Sequence, residues 1–225
     1  MAGLTLVIGN KNYSSWSMRP WVLMRQLGIA FEERKLRFHS TEWDAEIERW
    51  SPSRLVPVLW RGSQSVWDSL AIMETLAEWH PEKSVWPRDD AARAFARSIA
   101  AEMHSGFRDL RNHMPMNIRA SHPGKGMTPE VKANIERIEG LWGEARKRFG
   151  AGGAFLFGAF SAADAMYAPV VMRFKTYGVG LGSEAARYCE AMRAAPALRA
   201  WIEGALEEEE FVDEDEPYAT ASPAK

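Results

Sequence analysis

A single cysteine, Cys189, stands among the 225 residues. That excludes an internal disulfide and any CxxC redox pair, and it fits a reducing compartment. Apolar runs stay well short of the roughly 18 residues a membrane span requires, so no spanning helix is expected. Neither sign of charge dominates: 28 Lys and Arg face 30 Asp and Glu, for a net charge of -2. Such a surface offers no basic field for nucleic acid. The five histidines fall at no metal-ligand spacing, and there is no GxGxxG or P-loop. Metal and nucleotide are therefore not expected. The opening residues, MAGLTLVIGNKNY, lack the basic region and long apolar stretch of a signal peptide. A cytoplasmic protein is the expectation.

What is present is a core. Apolar residues make up 46% of the chain, and a chain of this length can bury roughly three quarters of its unfolded surface. Leu4 to Gly9 is short and β-branched and ends in Gly9-Asn10, which predicts a buried strand. From Ser17 the pattern turns helical, with Pro20, Met24 and Leu27 on one face and Gly28 as the C-cap. Proline is tolerated in a first turn because its missing N–H has no helical partner there. FEERKLRF then alternates as a second strand, completing a βαβ unit. A stretch that is either loop or helix follows. LVPVLW and SVWDS, separated by RGSQ, predict a hairpin. Asp68 and Ser69 open a helix with Ile72, Leu76 and Trp79 on one face.

Residues 81–90 hold two prolines and several charges and predict a linker. Beyond them no strand signal stands out. One long helix is expected over 91–114. Val131, Ile135, Ile138, Trp142, Ala145 and Phe149 form a second helical stripe. Ser161-x-x-Asp164 is a capping box ahead of an apolar helix, and is read as structural. A last helix is expected from Ala195. Glu207 to Glu216 carries eight carboxylates in ten residues and predicts a solvated, mobile acidic tail over 207–225. The layout is a small α/β domain, 1–80, and an all-helical domain, 91–206.

Four motifs on this layout resemble the cytosolic glutathione S-transferase family. YSSWSMRPW after the first strand is similar to the SSCSWR signature of the zeta (maleylacetoacetate isomerase-like) class, with Trp16 in place of the cysteine. Val56-Pro57 precedes the third strand, where the family has a cis-proline turn. Asp68-Ser69 opens the third helix, where the family has an acidic-serine pair. FSAAD, Phe160 to Asp164, matches the family's C-terminal capping motif. The resemblance implies a thioredoxin-like α/β N-terminal domain and an all-α C-terminal domain. It also implies a homodimer, with glutathione as co-substrate and no metal.

The residues have a chemistry of their own. A thiol near neutral pH is mostly protonated, and the thiolate is the nucleophile. Hydroxyls and backbone N–H groups at a helix N-terminus favour the anion. The thiol would be glutathione's, so a distant lone cysteine is no objection. The resemblance implies Ser14 or Ser15 as the donor to sulfur, with Ser17 nearer the cap. Ser14 matches the first serine of the zeta motif and is narrowly preferred. Ser15 stands four residues before Arg19, the spacing of other serine-type classes. Val56 and Pro57 would present main-chain groups to the cysteinyl unit. Asp68 and Ser69 would cap their helix and also hold the γ-glutamyl end. Arg54, and more weakly His39 and Ser40, would reach the glycyl carboxylate. The second substrate's pocket is expected from Trp16, His104, Phe107, Arg108, Arg111 and Met114, with Arg173, Phe174 and Tyr177. Arg173 stands three residues earlier, relative to Pro169, than a zeta-class arginine that holds a substrate carboxylate.

The expected activity is attack of glutathione sulfur on a small electrophile, or reversible addition that isomerises a double bond, with peroxidase activity a near neighbour. The alternative is a non-catalytic glutathione-binding or stress-response module of the same fold. A thiol-disulfide oxidoreductase is disfavoured because no cysteine lies at the first helix.

Overall fold

A computed structural model describes residues 3–220. Four strands, β1 (Leu4–Ile8), β2 (Glu32–Lys35), β3 (Val58–Arg61) and β4 (Gln64–Trp67), form a sheet in the order β2-β1-β3-β4. β1 runs parallel to β2 and antiparallel to β3, and β3 and β4 form the hairpin. Alternation along the strands serves two faces. Leu6, Ile8 and Leu59 enter the main core, while Val7 and Val58 join Leu36 and Ile47 in a smaller cluster on the other side. The stretch left open between loop and helix is α2 (Thr41–Trp50), which supplies Ile47.

α1 spans Ser15–Gln26 and α3 spans Ser69–Trp79. α1 starts two residues earlier than the pattern suggested, because Ser14 is the N-cap. Pro20 therefore sits in the second turn, and the Trp16 carbonyl loses its helical donor.

The helical half comprises α4 (Asp90–Ser105), α5 (Arg108–His113), α6 (Pro129–Phe149), α7 (Ala162–Thr176), α8 (Ser183–Ala194) and α9 (Pro196–Leu206). The long helix expected over 91–114 is two helices. It breaks at Gly106, where a Cβ would lie 2.7 Å from the Glu102 carbonyl, and at Phe107, whose φ is +54°. α8 was not foreseen. α7 is buried along almost its whole length and packs against α1, α4 and α8. Its capping box is formed: the Asp164 carboxylate accepts from the Ser161 and Leu156 N–H groups and from the Ser161 and Tyr188 hydroxyls.

Two connecting segments are more than tethers. Residues 81–90 bury Val85 and Trp86, and the Val85 carbonyl accepts from the Ala162 N–H at the start of α7. The acidic stretch is not a solvated tail through residue 220. Glu208 and Val212 are buried, and the Glu208 carboxylate accepts from the Lys11 and Asn12 N–H groups and pairs with Lys35. Residues 221–225 of that predicted tail lie outside the described residues. No described helix is long and apolar enough to cross a membrane.

Candidate functional site

Two adjoining cavities open at the N-terminus of α1 and share Trp16, Leu55 and Val56. The first, of about 540 Å³, is completed by Ser53, Pro57, Trp67, Asp68 and Ser69. The second, of about 350 Å³, is completed by Tyr13, Ser14, Ser15, Phe38, Trp43, Arg111, Pro115, Arg173 and Asp215.

The three serines have separate surroundings. The Ser14 side chain caps α1 by accepting from the Ser17 N–H, and its hydroxyl donates to Ser17 Oγ at 2.7 Å. Ser17 Oγ also accepts from the Gly9 N–H at 3.1 Å. Ser17, expected as the cap, is fully buried and lines neither cavity. It ties the cap to the end of β1. The Ser15 hydroxyl makes no hydrogen bond among the described residues and lines the second cavity. Tyr13 also lines that cavity, but its hydroxyl donates to Glu216 at 2.7 Å. Burial, then Glu216, pushes its pKa up to about 12. Its proton is not available to a ligand sulfur.

The first cavity gathers Val56, Pro57, Asp68 and Ser69 as expected. The Val56-Pro57 peptide is cis. The Val56 backbone makes no hydrogen bond among the described residues. Asp68 caps α3, its Oδ1 accepting from the Leu70 and Ala71 N–H groups. Asp68 Oδ2 meets His104 Nε2 at 2.7 Å. His104, expected in the second pocket, thus stands beside the first, its ring edge-on to Trp16.

Arg19 is the residue the sequence reading missed. It is fully buried, with its guanidinium 4.1 Å from the centre of the Trp16 ring and Nη1 3.5 Å from Ser69 Oγ. Its Nε and Nη2 have no partner among the described residues. Burial, with Arg173 and Arg111 nearby, lowers its pKa. Arg19 lines neither cavity, so its positive charge acts on the first through Ser69. The available signal was its place one turn after Ser15.

Arg111 and Arg173 reach the second cavity. Arg173 Nε donates to the Met114 carbonyl, while Nη1 has no partner among the described residues. Burial, helped by Arg111, lowers the Arg173 pKa to about 10. Burial likewise lowers that of Arg111. The other expected residues stand apart from both cavities. His39 faces Glu214 at 3.5 Å and Arg54 pairs with Glu48, both exposed. Ser40 caps α2. Phe107 forms the bend before α5, Arg108 is exposed, and the Tyr177 hydroxyl donates to the Pro115 carbonyl. Phe174 packs on Trp142 in the core. Among the described residues no cluster suited to a metal occurs.

Residues 13–79 match the family described as glutathione S-transferase, N-terminal domain, and residues 128–204 match glutathione S-transferase, C-terminal domain. The chain is 31% identical over 99 residues to a probable maleylacetoacetate isomerase of Caenorhabditis elegans, covering 44% of this chain and 46% of that protein. It is 28% identical over 114 residues to a maleylacetoacetate isomerase of Dictyostelium discoideum, covering 49% and 52%. The chain thus spans about half the length of the curated relatives it matches. A glutathione transferase homologue from Burkholderia with bound glutathione superposes at a TM-score of 0.67 and 23% identity, covering 92% of this chain and all of that one.

Proposed function

The chain belongs to the glutathione S-transferase family, and from that premise we propose that it binds glutathione across the first cavity and directs the sulfur to an electrophile in the second. The carrying observation is the Ser15 hydroxyl, unpaired among the described residues, on the second cavity's wall in the first turn of α1. Ser14 holds a proton already engaged by Ser17. Ser15 is therefore the donor to the thiolate and Ser14 the structural cap, the reverse of the motif's preference.

Glutathione carries an amine, two carboxylates and a thiol, and the first cavity has partners for them. Ser69 suits the γ-glutamyl carboxylate, with the Arg19 guanidinium behind its hydroxyl at 3.5 Å, and Asp68 suits the ammonium. The unpaired Val56 main chain suits the central peptide. Arg54 and His39 have no such role here, being engaged elsewhere.

Arg111 and Arg173 favour an electrophile that carries a carboxylate. With an unsaturated carbonyl compound, the thiolate adds to the double bond and the electron pair moves onto the carbonyl oxygen. Rotation about the new single bond and loss of the sulfur then return glutathione with the double bond isomerised. With a halide electrophile, the carbon–halogen bond breaks and the conjugate leaves. The relatives' names favour isomerisation.

A homodimer is part of this reading, with Leu55 and Trp67 exposed beside the first cavity. Light scattering that gives a monomer at micromolar concentration removes it.

Titration calorimetry with glutathione, followed by turnover of 1-chloro-2,4-dinitrobenzene and of a cis-configured unsaturated keto acid, tests the whole. Glutathione binding without turnover of either supports the non-catalytic alternative. Absence of binding at millimolar glutathione refutes the reading.

A further inference from the structure

Residues 207–218 return from α9 to the wall of the second cavity, and they are anchored along the way. Glu208 is held by the Lys11 and Asn12 N–H groups at 2.8 and 3.0 Å and by Lys35. Arg119 donates to the Glu208 and Glu210 carbonyls. Glu216 takes the Tyr13 hydroxyl, and the Tyr218 hydroxyl donates to the His113 carbonyl at 2.7 Å. Between these anchors the short 3-10 turn Asp213–Asp215 sets Asp215 in the cavity wall.

Among the described residues Asp215 is the one acidic residue lining that cavity, together with two cations, Arg111 and Arg173. It lies close enough to Arg173 to be affected by its charge, yet forms no ion pair with either arginine among the described residues. Both guanidiniums stay available, and the cavity carries one net positive charge.

We propose that Asp215 is a specificity-determining residue of the second cavity: by offsetting one of its two arginines it lowers the advantage that doubly charged anionic co-substrates have there over singly charged ones. The identity of that cavity as the co-substrate site rests on the transferase reading, whereas its charge preference does not. A singly charged acid meets Arg173 and Arg111 and neutralises the cavity. A second carboxylate has to share the space with Asp215, and like charges at short range in a half-buried site repel strongly.

Burial raises the Asp215 pKa to about 6, with Glu214 and Glu216 adding to the rise and Arg173 and His39 opposing it. The preference is therefore set by pH. Above about 6 the ionised carboxylate opposes a ligand's second negative charge, and below it the protonated acid does not.

Benzenesulfonate and benzene-1,3-disulfonate keep their charges throughout this range and serve as probes. Each is titrated calorimetrically into the wild type and into Asp215→Asn, with and without glutathione, at pH about 5 and about 8, either side of the Asp215 pKa. In the wild type the ratio of disulfonate to monosulfonate affinity is expected to rise by about tenfold from the higher pH to the lower. Asp215→Asn is expected to favour the disulfonate at both, with no pH shift. An unchanged ratio in the variant, a pH shift that persists in it, or no binding of either probe overturns the proposal. The wild-type pH series needs no variant to fold. Failure of glutathione to bind, with the sulfonates behaving as expected, refutes the transferase reading alone.

Discussion

Asp68 Oδ2 and His104 Nε2 meet at 2.7 Å, joining the cap of α3 to the last turn of α4. Both side chains are partly exposed, at 43% and 27%. A pair of this kind contributes about 1 kcal/mol or less to stability. Its effect is on the position of Asp68. His104→Ala is expected to leave thermal unfolding nearly unchanged while weakening glutathione binding severalfold. Asp68→Ala also removes the acceptor for two α3 N–H groups, and should cost roughly 1 kcal/mol of stability. Calorimetric titration beside thermal denaturation checks both. Equal losses of stability and affinity in His104→Ala contradict the positioning role.

Asp164 lies far from this chemistry and carries much of the helical half. Its carboxyl accepts four hydrogen bonds and is fully buried. Asp164→Ala leaves buried donors unmet and is expected to destabilise by about 3 kcal/mol or more. Asp164→Asn does not rescue it, because the amide turns a donor toward donors. Urea denaturation measures both variants. A loss below 1 kcal/mol in either contradicts the account.

Most of the fold was legible where the pattern was local. The short β-branched run of β1, the turn between β3 and β4, the α6 stripe and the Ser161-x-x-Asp164 box each record one element's own packing or capping. The failures are tertiary. Gly106 and Phe107 break a helix that composition alone would continue. Ser17 looks like a cap, but the cap is set by which hydroxyl meets an N–H, and that is Ser14. Arg19 draws its meaning from Ser69 and Arg173, 50 and 154 positions further on, and Asp215 from Arg111 and Arg173, 104 and 42 positions before it. Glu208 reads as one acid among eight until Lys11 and Asn12 are brought against it.

That last contrast is measurable. A solvated acidic tail predicts equal, small effects from alanine at Glu207, Glu208 and Glu209. The structure singles out Glu208, whose loss leaves the Lys11 and Asn12 N–H groups without their acceptor. Glu208→Ala is expected to cost about 2–3 kcal/mol. The exposed Glu207 and Glu209 should each change stability by no more than about 0.5 kcal/mol. Denaturant midpoints for the three variants decide. Three equal midpoints return the segment to solvent.

The serines can be separated by how rate depends on pH. A hydroxyl that donates to an ion contributes about 1.5–3 kcal/mol, which corresponds to roughly one to two pKa units. If Ser15 holds the thiolate, Ser15→Ala raises the apparent pKa of bound glutathione by that amount. The rate at neutral pH then falls about tenfold or more, and recovers as pH rises and the thiol ionises unaided. Glutathione affinity changes little, since the tripeptide's other groups are held in the first cavity. Ser14→Ala should behave differently. It removes the α1 cap and the partner of Ser17, so it costs roughly 1 kcal/mol of stability and leaves the midpoint of the profile in place. Ser17→Ala frees the Gly9 N–H and should act on stability alone. The measurement is a pH–rate profile for each of the three variants with 1-chloro-2,4-dinitrobenzene at saturating glutathione. A midpoint that moves in Ser14→Ala and not in Ser15→Ala exchanges the two roles. Three profiles with the wild-type midpoint reduce all three serines to structure.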